Sequence, residues 1–138
     1  MPRNDDTLVT RKPIAPVGLI AHKSISEIGT KVDKYLVDWR ANRASDHLDD
    51  IERTTYQSGS YLVPVNTPRF DSGEAKGSFS QSIRGLDLYI MVDVTNWSLT
   101  YSVCGHLNHM SPDDHFQDLK RMIAVATQTA KRVTVILP

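Results

Sequence analysis

The residues of this chain that could do chemistry fall into three groups. Arg69-Phe70-Asp71-Ser72-Gly73-Glu74 sets an aromatic ring beside a turn signal and two acids. A flat ring can stack on a nucleobase, and a carboxylate can accept a hydrogen bond from an exocyclic amine. An ordinary charged hairpin turn has the same composition, so the residues alone leave both readings open. Ser82-Ile83-Arg84-Gly85 can place Arg84 near an anion, or simply on the surface before a tight turn. Cys104, His106, His109, Asp113, Asp114 and His115 are dense in metal-ligating types. Their spacing matches no structural zinc pattern, and a polar loop with scattered histidines explains them as well. Cys104 as a nucleophile would need a base and an oxyanion hole, and only the nearby His106 and His109 speak for it. A structural thiol is the plainer reading. The phosphate-cradling, dinucleotide, nucleophile-elbow and zinc-protease motifs are absent from the sequence.

Composition bounds what could position these groups. The chain has 138 residues, with 16 basic and 16 acidic side chains and a sequence pI near 7.0. That length suits one domain, and the zero net charge carries no general nucleic-acid footprint. A single cysteine excludes an intrachain disulfide framework and a multi-cysteine zinc site. No apolar run approaches the roughly 20 residues that span a bilayer. The polar N-terminus lacks an apolar signal core. A cytoplasmic protein with no membrane and no nucleic-acid partner is the expectation.

The elements follow from periodicity. Residues 1–15 read as a flexible tail, and 16–138 as one α/β domain. Val17-Gly18-Leu19-Ile20-Ala21 suits a buried strand. Ser24 and Glu27 have the spacing of a capping box. Ile25, Ile28, Val32, Tyr35, Leu36 and Trp39 then form the expected apolar face of a helix ending near Arg40. The polar stretch 41–58 reads as a short surface helix or an irregular insertion. Tyr61 to Val65 is an edge or irregular strand, because Pro64 withholds an N–H. Asp71-Ser72-Gly73 is a turn, with 74–80 as its return strand. Leu86 to Val92 is the strongest strand and suits the centre of a parallel sheet covered on both faces. Residues 94–110 have no assigned structure. Ser111-Pro112-Asp113-Asp114 opens a second helix, with Phe116, Leu119, Met122, Ile123 and Ala126 on its buried face. Arg132 to Leu137 is a last strand. The alternation argues an α/β fold with a mainly parallel sheet flanked by helices. The chain stops at Pro138, at the end of a strand, and so reads as part of a longer protein.

Three blocks in order narrow the function. They are Arg69 to Glu74, Gln81 to Ile90, and the paired run Asp114 to Ile123 with Ala130 to Pro138. Together they resemble the N-terminal half of ribose-phosphate pyrophosphokinase, whose usual pattern is RF-x-DGE, ES-[IV]-RG-x-D, a helix of the type EHLMELL, and AK-x-[IV]. The resemblance covers about 17–138 and is weak over 41–60 and 94–112, which look like insertions. It implies a phosphoribosyltransferase-like fold, and a parent enzyme that transfers the diphosphoryl group of ATP to ribose 5-phosphate. The product is phosphoribosyl pyrophosphate, for nucleotide biosynthesis, and Mg2+ is required. It implies a homo-oligomer whose active site takes a hairpin from a neighbouring subunit. On that pattern Phe70 would stack on adenine and Glu74 would read its amino edge. Ser72 falls where the family has an acid or amide, and Asp71 takes the preceding position. His115 matches a helix-start histidine with a structural role. The family's catalytic and metal-binding groups would lie beyond Pro138, so the 138 residues alone are expected to be inactive. Two rivals stand beside this reading. One is a non-catalytic protein that associates with synthetase subunits and regulates them. The other is a metal- or nucleotide-binding module built on the 104–115 cluster.

Overall fold

The computed structural model describes residues 14–43 and 58–138. Its elements run β1 (Val17–Ala21), a 3₁₀ turn (Lys23–Ile25), α1 (Ser26–Arg43), β2 (Val65–Asn66), β3 (Ser78–Phe79), β4 (Asp87–Met91), β5 (Thr100–Val103), β6 (His106–His109), α2 (Pro112–Ala126) and β7 (Arg132–Ile136). β4 pairs in parallel with β1 on one side and β7 on the other. A further segment extends this sheet beyond β1. The Leu19 N–H donates to the Tyr61 carbonyl at 2.7 Å, the Val63 N–H donates to the Leu19 carbonyl at 2.8 Å, and Leu19 bridges Leu62 in parallel. Pro64 follows at once and ends the pairing, as its missing N–H requires.

The spatial order is therefore 61–63, β1, β4, β7. The chain leaves β1 toward one edge through α1, then returns to the other side of β1 and continues through α2 to β7. Alternate side chains of the sheet serve the two faces. Ile20, Leu88, Ile90 and Val92 pack with Leu119, Met122 and Ala126 of α2. Leu19, Tyr89 and Met91 pack with Ile25, Val32 and Leu36 on the α1 side. Leu88 and Ile90 have no exposed surface, and each such side chain contributes about 1.5–3 kcal/mol of apolar burial. The expected α/β architecture, with a helix-covered central strand at β4, is what the structure has.

Several local expectations are corrected. The capping box at Ser24 and Glu27 does not form. His22 caps the 3₁₀ turn by accepting the Ser24 N–H, and Glu27 pairs with Lys31 in solvent. The Ser24 hydroxyl instead accepts the Asp93 N–H at 3.0 Å, which ties the end of β1 to the end of β4. The α1 face is turned from the one expected. Ile28, Tyr35 and Trp39 are largely exposed, while Gly29 and Asp33 are buried. Asp33 faces inward because its carboxylate accepts the Tyr61 N–H at 2.6 Å and the Ser60 hydroxyl at 2.9 Å. α1 also runs on to Arg43, so residues 41–43 belong to it. The rest of the expected insertion, 44–57, and residues 1–13 of the expected tail lie outside the described residues.

The second helix starts as its sequence dictates. Ser111 caps it, Pro112 takes the first position, and Asp114 closes the capping box back onto Ser111. Its buried face is corrected in one place: Phe116 is exposed under Lys120, and His115 is buried instead. The unassigned stretch 94–110 holds an antiparallel hairpin of β5 and β6. Its two-residue turn is Cys104-Gly105, with φ of 49° and 78°, the geometry that matches strand twist in a tight hairpin.

Candidate functional site

The Phe70 to Glu74 segment is the tip of a long irregular hairpin. Successive rungs join it: Ser80 N–H to Pro64 carbonyl, β2 to β3, Lys76 N–H to Pro68 carbonyl, and Phe70 N–H to Glu74 carbonyl at 2.8 Å. Gly73 donates its N–H to the Phe70 carbonyl at 2.9 Å and has φ +87°. Only a residue without Cβ takes that conformation without strain. The tight turn leaves Phe70 47% exposed, with Asp71, Ser72 and Glu74 also at the surface. The expected turn is present; of the expected return strand 74–80, only Ser78–Phe79 is a strand, with an isolated bridge from Ala75 to Arg69. All four candidate residues sit together on one projecting tip.

Two structures brace this tip. The β5–β6 hairpin reaches it from the side, and the Cys104 thiol donates to the Asp71 carbonyl at 3.2 Å. Below it, the Arg69 side chain turns inward, 5.0 Å over the Tyr101 ring of β5. Both terminal nitrogens of Arg69 lie 3.2 Å from the Asp118 carboxylate, a two-pronged pair. Arg121 donates to the same carboxylate at 3.0 Å. Asp118 is 1% exposed, and a buried carboxylate is tolerable only when paired in this way. Asp114 lies 3.9 Å from Arg69. Burial works against the charged form of Asp114, but the Ser111 N–H and hydroxyl, helped by Arg69, outweigh it and hold the carboxyl below its usual range.

Two buried histidines complete the interior. His22 Nδ1 lies 3.2 Å from the Ser24 N–H and 2.9 Å from the Ser24 hydroxyl. His22 Nε2 lies 3.4 Å from the buried Asp118 carboxylate and makes no hydrogen bond in this geometry. His115 Nε2 donates to the Asn96 carbonyl at 2.7 Å, and its buried Nδ1 makes no hydrogen bond. The two rings meet edge to face at 5.6 Å.

The other candidates separate. Arg84 is exposed after Ser82, and Gly85 follows it with φ +74°. His109 binds the Trp97 carbonyl, His115 faces the core, and Cys104 turns to Asp71. Among the described residues, no three His, Cys, Asp or Glu side chains converge as metal ligands. No helix among the described residues is long and apolar enough to cross a membrane.

Sequence reasoning passed over His22, Tyr101 and Asp118 as a group. One signal for Asp118 was present: it shares a helix face with Asp114 and Met122, so an acid falls on the core side. Nothing local marks His22 except its place just after β1.

The chain is thus a doubly wound α/β domain whose strand order reverses between β1 and β4, with a braced aromatic–acidic hairpin at its surface. Residues 17–138 match the N-terminal domain of ribose phosphate pyrophosphokinase, and the chain belongs to that family. No curated protein shows significant similarity to it.

Proposed function

We propose that this domain supplies the adenine-reading hairpin of a ribose-phosphate diphosphokinase, the transferase that moves a diphosphoryl group from ATP to ribose 5-phosphate. The observation that supports the reading is the tip itself. A half-exposed Phe70 ring and a surface Glu74 carboxylate are held one turn apart by the Gly73 conformation. The ring offers a stacking face to a base, and the carboxylate offers an acceptor to an exocyclic amine. Both point away from their own domain's core, so the nucleotide they serve belongs to a second subunit, and the working enzyme is a homo-oligomer of the cytoplasm. Asp71 and Ser72 lie at the turn, where a small shift lets Asp71 take the role the family gives the next position.

A ring, a turn and a carboxylate bind and orient; they do not move a diphosphoryl group. Phosphoryl chemistry of this kind needs positioning and cationic charge stabilisation. We assign no catalytic step to these residues, and this reading has the 138 residues alone inactive.

Glu74 gives a direct test. In the assembled enzyme, Glu74→Gln should reduce the preference for ATP over inosine triphosphate, which lacks the amine, by about tenfold. An unchanged preference would remove Glu74 from base reading.

A further inference from the structure

Among the described residues, the hairpin tip has no apolar anchor of its own. Phe70, Asp71, Ser72, Gly73 and Glu74 are all exposed, and the paired strands below them are two residues long. The bonds from the Phe70 N–H to the Glu74 carbonyl and from the Gly73 N–H to the Phe70 carbonyl close the turn on itself. They do not fix where the turn stands against the domain. The Cys104 thiol reaches the Asp71 carbonyl, but a thiol is a weak donor. The position of the tip has to come from the base of the hairpin.

Both arms of that base come down on one turn of α2. On the outgoing arm, the Arg69 side chain is 8% exposed and meets the two Asp118 oxygens with its two terminal nitrogens, each at 3.2 Å. The Tyr101 ring covers the guanidinium at 5.0 Å. On the return arm, Gly77 lies against Arg121: a Cβ at Gly77 would stand 3.2 Å from the Arg121 carbonyl carbon and 3.3 Å from its Cβ. Arg121 in turn donates to Asp118 at 3.0 Å, from the next turn of the helix. A buried ion pair adds little net stability over an apolar replacement. A two-pronged guanidinium–carboxylate contact does fix the distance and the plane of its partner. Arg69 is covalently joined to Phe70, so a fixed guanidinium sets where the aromatic ring stands.

We propose that Asp118 is a positioning residue. Through Arg69 on one arm, and with the Gly77 contact to Arg121 on the other, it seats the Phe70 tip at one height and one angle on α2. It touches no nucleotide itself. The consequence for ATP rests on the adenine reading of the tip, whereas the seat does not. A ring out of place loses stacking in the ground state and the transition state alike, which raises KM for ATP and leaves kcat unchanged.

Two measurements test the seat and keep it apart from the adenine reading. The first is amide hydrogen exchange on the 138-residue chain, with no nucleotide present. Asp118→Asn keeps the side-chain shape and removes the charge. Arg69→Lys keeps the ion pair and removes the fork, so it decides the question if Asp118→Asn does not fold. Each should speed exchange of the Phe70 and Gly73 N–H groups about tenfold and leave the β4 amides unchanged. Unchanged exchange at the tip, or an equal rise in β4, would overturn the seat. The second uses the assembled enzyme. Arg69→Lys should raise KM for ATP about tenfold, with kcat and KM for ribose 5-phosphate unchanged. That rise should vanish where Phe70 is already replaced by Ala, because a merely structural loss would add to it. A full rise in the Phe70→Ala background would overturn the positioning role. A loosened tip together with unchanged ATP binding in Phe70→Ala would uphold the seat and remove the adenine reading.

Discussion

At the scale of single residues, the hairpin tip depends on groups buried beneath it. Arg69 is anchored by Asp118, and Asp114 stands at the start of the same helix with its carboxyl held low. That depressed value has a consequence for acid stability. A carboxyl whose folded pKa lies below its unfolded value, about 3.9, stabilises the fold fully above that value. The contribution is lost as pH falls through the folded pKa. Urea unfolding measured between pH 6 and pH 2 should therefore show the native chain losing stability more steeply below about pH 4 than Asp114→Asn does. Parallel curves would mean that the Ser111 and Arg69 contacts do not favour the charged carboxyl.

At the scale of elements, strong patterns were legible and compensated ones were not. The β4 run and the Ser111-Pro112 helix start could be read directly, because continuous apolarity and capping chemistry are local signals. The face of α1 was misread because Asp33 is buried by a partner 28 residues away, and no window on the helix contains that partner. His115 displaced Phe116 for the same reason: its acceptor is the Asn96 carbonyl, 19 residues upstream. The β5–β6 hairpin was hidden because Cys104 occupies a left-handed turn position where Asn or Asp is the usual signal. An L-residue there costs about 1–2 kcal/mol, and Asn relieves part of that. Cys104→Asn should accordingly stabilise the chain by about 0.5–1 kcal/mol, read as a higher urea midpoint. A lower midpoint would show that the thiol's bond to the Asp71 carbonyl outweighs the backbone strain.

At the scale of the molecule, the fold class and the projecting tip could both be read from the sequence, the tip because ring, turn and acid lie within six residues. The cavity of about 270 Å³ at the carboxyl end of β1 could not, since its walls come from widely separated stretches of chain. On the proposed reading the hairpin serves a neighbour's site. Light scattering on the catalytically assembled enzyme should give a mass of at least two subunits, and an active monomer would contradict the proposed shared site. The most direct measurement of the central claim is the ATP affinity of that assembled enzyme with Phe70 replaced. Phe70→Ala should weaken ATP binding by about 1–3 kcal/mol, the range for loss of base stacking, while Phe70→Trp should retain it. If Phe70→Ala binds ATP as tightly as the parent, the hairpin does not hold adenine.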